Sequence, residues 1–162
     1  MQPGMHGESH AEPLPELKLR AFEPRDAADA VRIARRCAEA ATWSEEAYAR
    51  LREAGCRGWV AQTGAETVGF LVARCAADEA EILNLAVAPE SRRRGYATAL
   101  VQGALRDFRR QGVRRIFLEV RASNRGAIAF YEGLGFRVAG RRAAYYEKPR
   151  EDAVCMVLEF PG

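Results

Sequence analysis

Between Glu81 and Gly103 the chain reads EILNLAVAPESRRRGYATALVQG: an apolar run, a proline stop, a basic turn with one glycine, and at once a helix. In that helix Ala97, Leu100, Val101, Ala104, Leu105 and Phe108 recur at i, i+3, i+4, i+7, i+8 and i+11, so one face is apolar. A further apolar strand follows at 114–121. A strand, a helix and a strand in that order make the two strands parallel, joined by a right-handed crossover. The turn then presents free backbone N–H groups at the positive end of the helix dipole, and Gly95 allows close backbone approach. Such a turn holds an anion, and a phosphorylated cofactor is the expected ligand.

The pattern around the turn narrows the choice. Neither G-x-x-x-x-G-K-[ST] nor G-x-G-x-x-G occurs anywhere in the 162 residues, which removes nucleotide-hydrolysing and dinucleotide-binding loops. Apart from the turn, Leu17 opens a short strand (17–22), then a helix at about 25–39 with Ala27, Ala30, Val31, Ala34, Cys37 and Ala38 on one face. Ser44 reads as an N-cap with Glu45 and Glu46 in the first turn and Gly55 as the stop. Strands at 57–62, 67–75 and 80–88 form an antiparallel meander. The turn helix (95–111, ended by Gly112) leads to strand 114–121, a short helix at 125–133, and strands 135–142 and 153–160. The expected fold is therefore a layered α/β domain: a mixed, mostly antiparallel sheet with one parallel β-α-β crossover and helices on both faces.

One domain, 17–162, accounts for the periodic sequence, and residues 1–16 read as a disordered leader with three prolines and both histidines, His6 and His10. A folded body without imidazole must take any general base from a carboxylate, a tyrosine or a water relayed to one. Cys37, Cys56, Cys75 and Cys155 are scattered, with no C-x-x-C, so neither a metal site nor a disulfide framework is expected. No apolar stretch approaches the roughly 20 residues of a membrane span, and no signal region follows Met1, so a cytoplasmic protein without a membrane partner is expected. With 25 Lys and Arg against 22 Asp and Glu, and three of those acids in the leader, the body is modestly basic. That balance suits a polyanionic cofactor and also an RNA or ribosomal surface, or it reflects solvated arginines at 92–94, 109–110, 114–115 and 141–142.

The string Arg92-Arg93-Arg94-Gly95-Tyr96-Ala97 resembles the [RQ]-x-x-G-x-[GA] acetyl-CoA signature of the GCN5-related N-acetyltransferases. Glu81–Ala104, Ile116–Arg121, Ser123-Asn124, Ala127–Tyr131, Leu134-Gly135-Phe136 and Glu151–Leu158 look like that family's successive motifs, covering about residues 17–160. Thr42-Trp43-Ser44-Glu45, the run Leu118–Asn124 and Tyr145-Tyr146 resemble the branch that acetylates the N-terminal alanine of ribosomal proteins. The resemblance implies acetyl-CoA as co-substrate with no metal, and direct transfer to a protein N-terminus, in that branch one of a small-subunit ribosomal protein. It requires no direct contact with nucleic acid. Lysine or small-amine acetylation is the alternative within the family, and an RNA- or ribosome-binding module is the alternative outside it. That module would want exposed aromatics among the arginines, and the sequence offers chiefly Tyr96. Gly126 departs from the family, standing where a better helix former is common.

The chemistry implied is attack of a neutral amine on a thioester. A free α-amine, with a pKa of about 7.7–8.0, asks less of a base than a lysine amine near 10.4. On strand 114–121, Ile116, Leu118 and Val120 take one face and Phe117, Glu119 and Arg121 the other. Glu119 either lines a cleft or pairs with Arg121 or another neighbour; the resemblance makes it the base, acting through water. Tyr131 is a core tyrosine or, by resemblance, the acid that protonates the leaving thiolate. Asn124, Ile128 and Tyr131 are spaced to share a helical face, directing Asn124 and Tyr131 toward the cofactor. Leu85, Ala86 and Val87 either pair as an ordinary strand or, by resemblance, belong to a bulged or splayed strand whose backbones hold the pantetheine arm, and Arg92, Arg93, Arg94, Gly95, Tyr96 and Ala97 would hold the pyrophosphate. Trp43 walls the acceptor site or packs as a staple beside Ser44. Tyr145 and Tyr146 lie in a long hairpin, where strand alternation would send them to opposite faces, so at most one need hold the peptide.

Overall fold

The computed structural model describes residues 16–161. The expected leader with His6 and His10 thus lies, but for Glu16, outside the described residues. Seven strands, β1 (Leu17–Ala21), β2 (Cys56–Thr63), β3 (Glu66–Ala76), β4 (Glu79–Val87), β5 (Arg115–Arg121), β6 (Arg137–Glu147) and β7 (Arg150–Glu159), form one sheet in the order β1-β2-β3-β4-β5-β7-β6. Every neighbouring pair is antiparallel except β4 and β5, which the crossover makes parallel. The mixed layered architecture expected from the sequence is the one observed.

Two apolar clusters hold the layers. On one face α3 (Tyr96–Arg110) buries Leu100, Val101, Ala104 and Phe108 against Leu71, Ala73, Ile82 and Ile116, and α4 (Arg125–Gly133) adds Tyr131. On the other face α1 (Ala27–Arg35) and α2 (Glu45–Ala49) bury Ala30, Ile33 and Tyr48 against Phe70, Val72 and Ala86. Ser44 caps α2 as expected, its Oγ accepting from Ala47 N at 3.1 Å. Both early helices are shorter than the periodicity suggests. A 3-10 turn at Pro24–Asp26 replaces the start of the first helix, and α2 ends well before Gly55. No helix among the described residues is long and apolar enough to cross a membrane.

β4 contains the irregularity that matters most. Val72 of β3 faces Asn84 and Ala73 faces Ile82, so Leu83 is an extra residue, a β-bulge. Its effect is to invert the strand: Ala80 and Ile82 pack with α3, Leu83 and Ala86 pack with α1 and α2, and Leu85 and Val87 return to the α3 side. Asn84, only 5% exposed, pins the bulge. Its Oδ1 accepts from Ala41 N at 3.1 Å, while Nδ2 donates to Ala41 O at 3.1 Å and to Tyr48 Oη at 3.0 Å.

A second bulge reshapes the last hairpin. β6 continues to Glu147 rather than ending near residue 142, so Tyr145 and Tyr146 belong to a strand of the hairpin. Between Arg142, opposite Ala153, and Tyr146, opposite Glu151, the register slips, with Ala144 at φ 50°. That slip breaks the alternation expected for adjacent strand residues: the two rings meet edge to face with centroids 5.1 Å apart instead of pointing to opposite faces.

Candidate active site

Parallel pairing of β4 with β5 is brief. It covers Glu79 with Arg115, Ala80 with Ile116 and Glu81 with Phe117, and then stops. Beyond Glu81 the strands part, so the edge of β4 that carries Leu85, Ala86 and Val87 pairs only with β3 among the described residues. Backbone groups alternate along an antiparallel ladder, so with Ala88 N bonded to Val68 O and Ala86 facing Phe70, it is Leu85 and Val87 that turn their N–H and C=O to the open edge. Val87 O accepts from Cys37 Sγ at 3.3 Å.

At the end of β4 stands the basic turn. Gly95 is left-handed at φ 78°, and Arg93 joins it in that region at φ 65°. No side chain caps α3 and no acid sits in its first turn, leaving its first N–H groups open to an anion. A Cβ built on Gly95 would meet nothing within 4 Å, so open space lies directly before the turn. Arg92, Arg93 and Arg94 are exposed around it, and Ala97 is half-buried. Tyr96 differs from expectation. It is 8% exposed, with its ring in the core beside α3, because the helix begins by turning that residue inward. Its backbone can serve the turn; its ring is not available for stacking on a base.

Glu119 sits two residues beyond the last β4–β5 pair, on the face of β5 away from α3. Its carboxylate is 16% exposed and bonds to Arg142 Nε of β6 at 3.0 Å. Arg121 pairs elsewhere, with Glu151 at 3.5 Å. Cys155, paired across from Glu119, contributes a weak Sγ contact to Oε1 at 3.8 Å. Hydrogen bonding to the Glu119 carboxylate raises the Tyr145 phenol above its ordinary range, and Arg142 lies 5.6 Å from the Tyr145 ring centre. Tyr146 carries the Arg121 guanidinium over its ring at 4.2 Å. A cavity of about 600 Å³ opens here, lined by Arg74, Glu81, Phe117, Glu119, Arg142 and Cys155. Arg142 and Cys155 carry no local signal in sequence. Only the β5–β7–β6 pairing brings them to Glu119.

Tyr131 occupies the opposite face. It is 6% exposed, in edge contact with Phe130 and Phe136, and burial raises its phenol well above the ordinary value, so it stays protonated. The resulting group can donate a proton and resists losing one idly. Asn124 is the N-cap of α4 rather than a member of its face. Its Oδ1 accepts from Ala127 N at 3.0 Å, and its amide N–H₂ has no hydrogen-bond partner among the described residues. Trp43 packs on Tyr48 at 5.3 Å, the hydrophobic staple that links the residue before an N-cap to the fourth helical position. No group of three metal-ligating side chains occurs among the described residues.

Glu119 and Tyr131 therefore lie on opposite sides of the sheet, and one reacting atom can be reached from both only where β4 and β5 part. Comparison with known proteins gives the family. The model of the acetyltransferase (GNAT) family matches residues 26–136. The [ribosomal protein bS18]-alanine N-acetyltransferase of Escherichia coli strain K12 is 35% identical over 142 residues, covering 86% of this chain and 95% of its own. The crystal structure of the ribosomal-protein-S18-alanine N-acetyltransferase from Escherichia coli superposes with a TM-score of 0.81 at 33% identity, covering 91% of this chain and 97% of that one. Ard1 from Thermoplasma volcanium gives the same TM-score of 0.81 at 28% identity, covering 90% and 99%. The chain belongs to the GNAT acetyltransferase family.

Proposed function

We propose that this protein is a cytoplasmic, acetyl-CoA-dependent N-acetyltransferase that acetylates the N-terminal alanine of a ribosomal protein by direct transfer. The observation that carries the reading is the placement of a carboxylate and a buried phenol on opposite faces of a sheet that parts between them. Bound acetyl-CoA would supply an acyl thioester. Gly95, the first N–H groups of α3 and the exposed Arg92–Arg94 would hold its pyrophosphate, with the Asn124 amide directed toward it and the free edge of Leu85–Val87 aligning the arm and polarising the carbonyl oxygen.

From the other face Glu119 would take the proton of the acceptor amine through a water, as the amine attacks the carbonyl carbon. Tyr131 would deliver its proton to the departing sulfur. The mutually packed Tyr145 and Tyr146 would form one wall of the acceptor groove, and Trp43, packed on Tyr48, would support the opposite one. The relatives named for an alanine acceptor support that substrate. An α-amine also fits the site better than a lysine, because it needs less help to shed its proton.

The test is turnover of acetyl-CoA against an alanine-starting peptide, a lysine peptide and a polyamine. Turnover of the first alone is expected, and preference for either of the others would overturn the alanine assignment. Glu119→Gln should lower kcat/KM near neutral pH by about 10²-fold. Part of the loss should return above about pH 8, where the α-amine deprotonates unaided. Tyr131→Phe should lower turnover on the order of 10²-fold with acetyl-CoA affinity retained.

A further inference from the structure

A second cavity, of about 470 Å³, lies at the β1 edge of the sheet, beneath the C-terminal half of α3 and away from Glu119. Arg20, Arg52, Arg57, Arg106 and Arg110 line it, against a single lining carboxylate, Asp107. That carboxylate is already engaged. Asp107 Oδ2 accepts from Trp59 Nε1 at 2.7 Å, and its other oxygen lies 4.0 Å from Arg110. Arg20 is likewise held, its guanidinium bonded to both Asp26 oxygens at 2.8 and 2.7 Å and to Gln62 at 2.9 Å. Arg52, Arg57 and Arg106 have no carboxylate partner among the described residues and are exposed; Arg57 rests 5.4 Å from the Trp59 ring centre. So concentrated a positive field, left unneutralised around a concavity, is a site for anionic ligands.

We infer that this cavity docks the phosphate backbone of an RNA strand without reading its sequence, a role separate from acetyl transfer. The placement of the charges selects this ligand. Arg106 and Arg110 stand one helical turn apart, about 6 Å along α3, while Arg52 follows α2 and Arg57 stands on β2, so the cations reach the cavity from separate elements and are not gathered at one point. A lone oxyanion would want guanidinium groups converging and buried. A membrane surface would want apolar side chains at the rim, and the exposed large apolar residues among those described are Val138 and Tyr145, both on β6 at the opposite edge. Of the two aromatic residues in the lining, Trp59 is 5% exposed and the half-buried Phe22 packs its ring against Tyr48 and Phe70, so neither is set out for stacking, which leaves contact to phosphate without base selection.

The experiment measures binding of fluorescein-labelled 12-nucleotide oligouridine to the full chain in saturating acetyl-CoA, which takes the Arg92–Arg94 turn out of competition. With three or four phosphates contacted, log K should fall against log salt with a slope of about −2 to −3, at about −0.7 per phosphate on single strands. The variant Arg52→Ala/Arg106→Ala/Arg110→Ala should bind at least tenfold more weakly with a shallower slope, keep its melting temperature, and turn over the alanine peptide within about twofold of the parent. The corresponding lysine triple should keep most of the binding, and it carries the test if the alanine triple fails to fold. Oligoadenosine should bind like oligouridine. The inference falls if the parent does not bind, if the alanine triple binds as the parent does, or if only Arg92–Arg94 substitutions weaken binding. It falls equally if one oligonucleotide is strongly preferred, if tripolyphosphate binds as tightly as the oligonucleotide, or if anionic vesicles are the preferred partner.

Discussion

Asn84→Ala is the substitution that tests how the site is held open. The side chain makes three hydrogen bonds, two part-buried ones to the backbone of Ala41 and a buried one to the Tyr48 hydroxyl. Each contributes about 1 kcal/mol net, and removing the amide also strands the Ala41 N–H and C=O in a site only 5% exposed at residue 84. A loss of about 3–4 kcal/mol follows, a large part of the 5–15 kcal/mol typical of a domain. For a chain of this size it corresponds to a fall in Tm of roughly 6–16 °C. The assay is urea unfolding of the parent, Asn84→Ala, Tyr48→Phe and the double variant. Because Asn84 and Tyr48 share a bond, the two losses should fall short of additive by at least about 0.5 kcal/mol. A single-variant loss below about 1 kcal/mol, or strict additivity, would refute the claim that this amide pins the bulge.

Gly95→Glu should abolish the rise in Tm that acetyl-CoA gives, since it forces a left-handed glycine to accept a side chain and sets a negative charge before the turn; calorimetry with and without acetyl-CoA decides it. Gly126→Ala should stabilise the protein by up to about 1 kcal/mol, because the added Cβ would come no nearer than 3.9 Å to Asn124 Oδ1 in a helix that glycine weakens. Unfolding in urea would show it, and a loss of stability would contradict the packing. Burial pushes the Tyr48 phenol up to about 12. Since the folded value exceeds the unfolded one near 10, its contribution is complete below about pH 10 and disappears as pH rises through 12. The stability curves of the parent and Tyr48→Phe should therefore converge across that window, and parallel curves would refute the shift.

Local signals in the sequence go a long way here. The face of α3 and the Ser44 cap are each determined by residues within a turn of one another, and each is found where the pattern places it. What the pattern misses is set across strands. Nothing in Ile82-Leu83-Asn84-Leu85 states that two successive residues will share a face, although an uncharged polar residue inside an apolar run is a sign that something must satisfy it. The Glu119–Arg142 pair depends on β6 reaching β5 through β7, a separation over which periodicity says nothing. Tyr145 and Tyr146 misled for a related reason: alternation describes regular strands, and Ala144 at φ 50° ends the regularity just before them.

The three-residue pairing of β4 with β5 also bears on traffic. A sheet paired along its full length is a wall, whereas this one is a wall with a slot, and on the proposed reading the small donor reaches the slot from one side and the macromolecular acceptor from the other. Neither then has to clear the doorway for the other to exchange. A bulky acceptor could stay docked while spent CoA leaves behind it, and changes in the acceptor's shape could be accommodated by β6 and the loop before α2 with no adjustment to the turn that grips the donor.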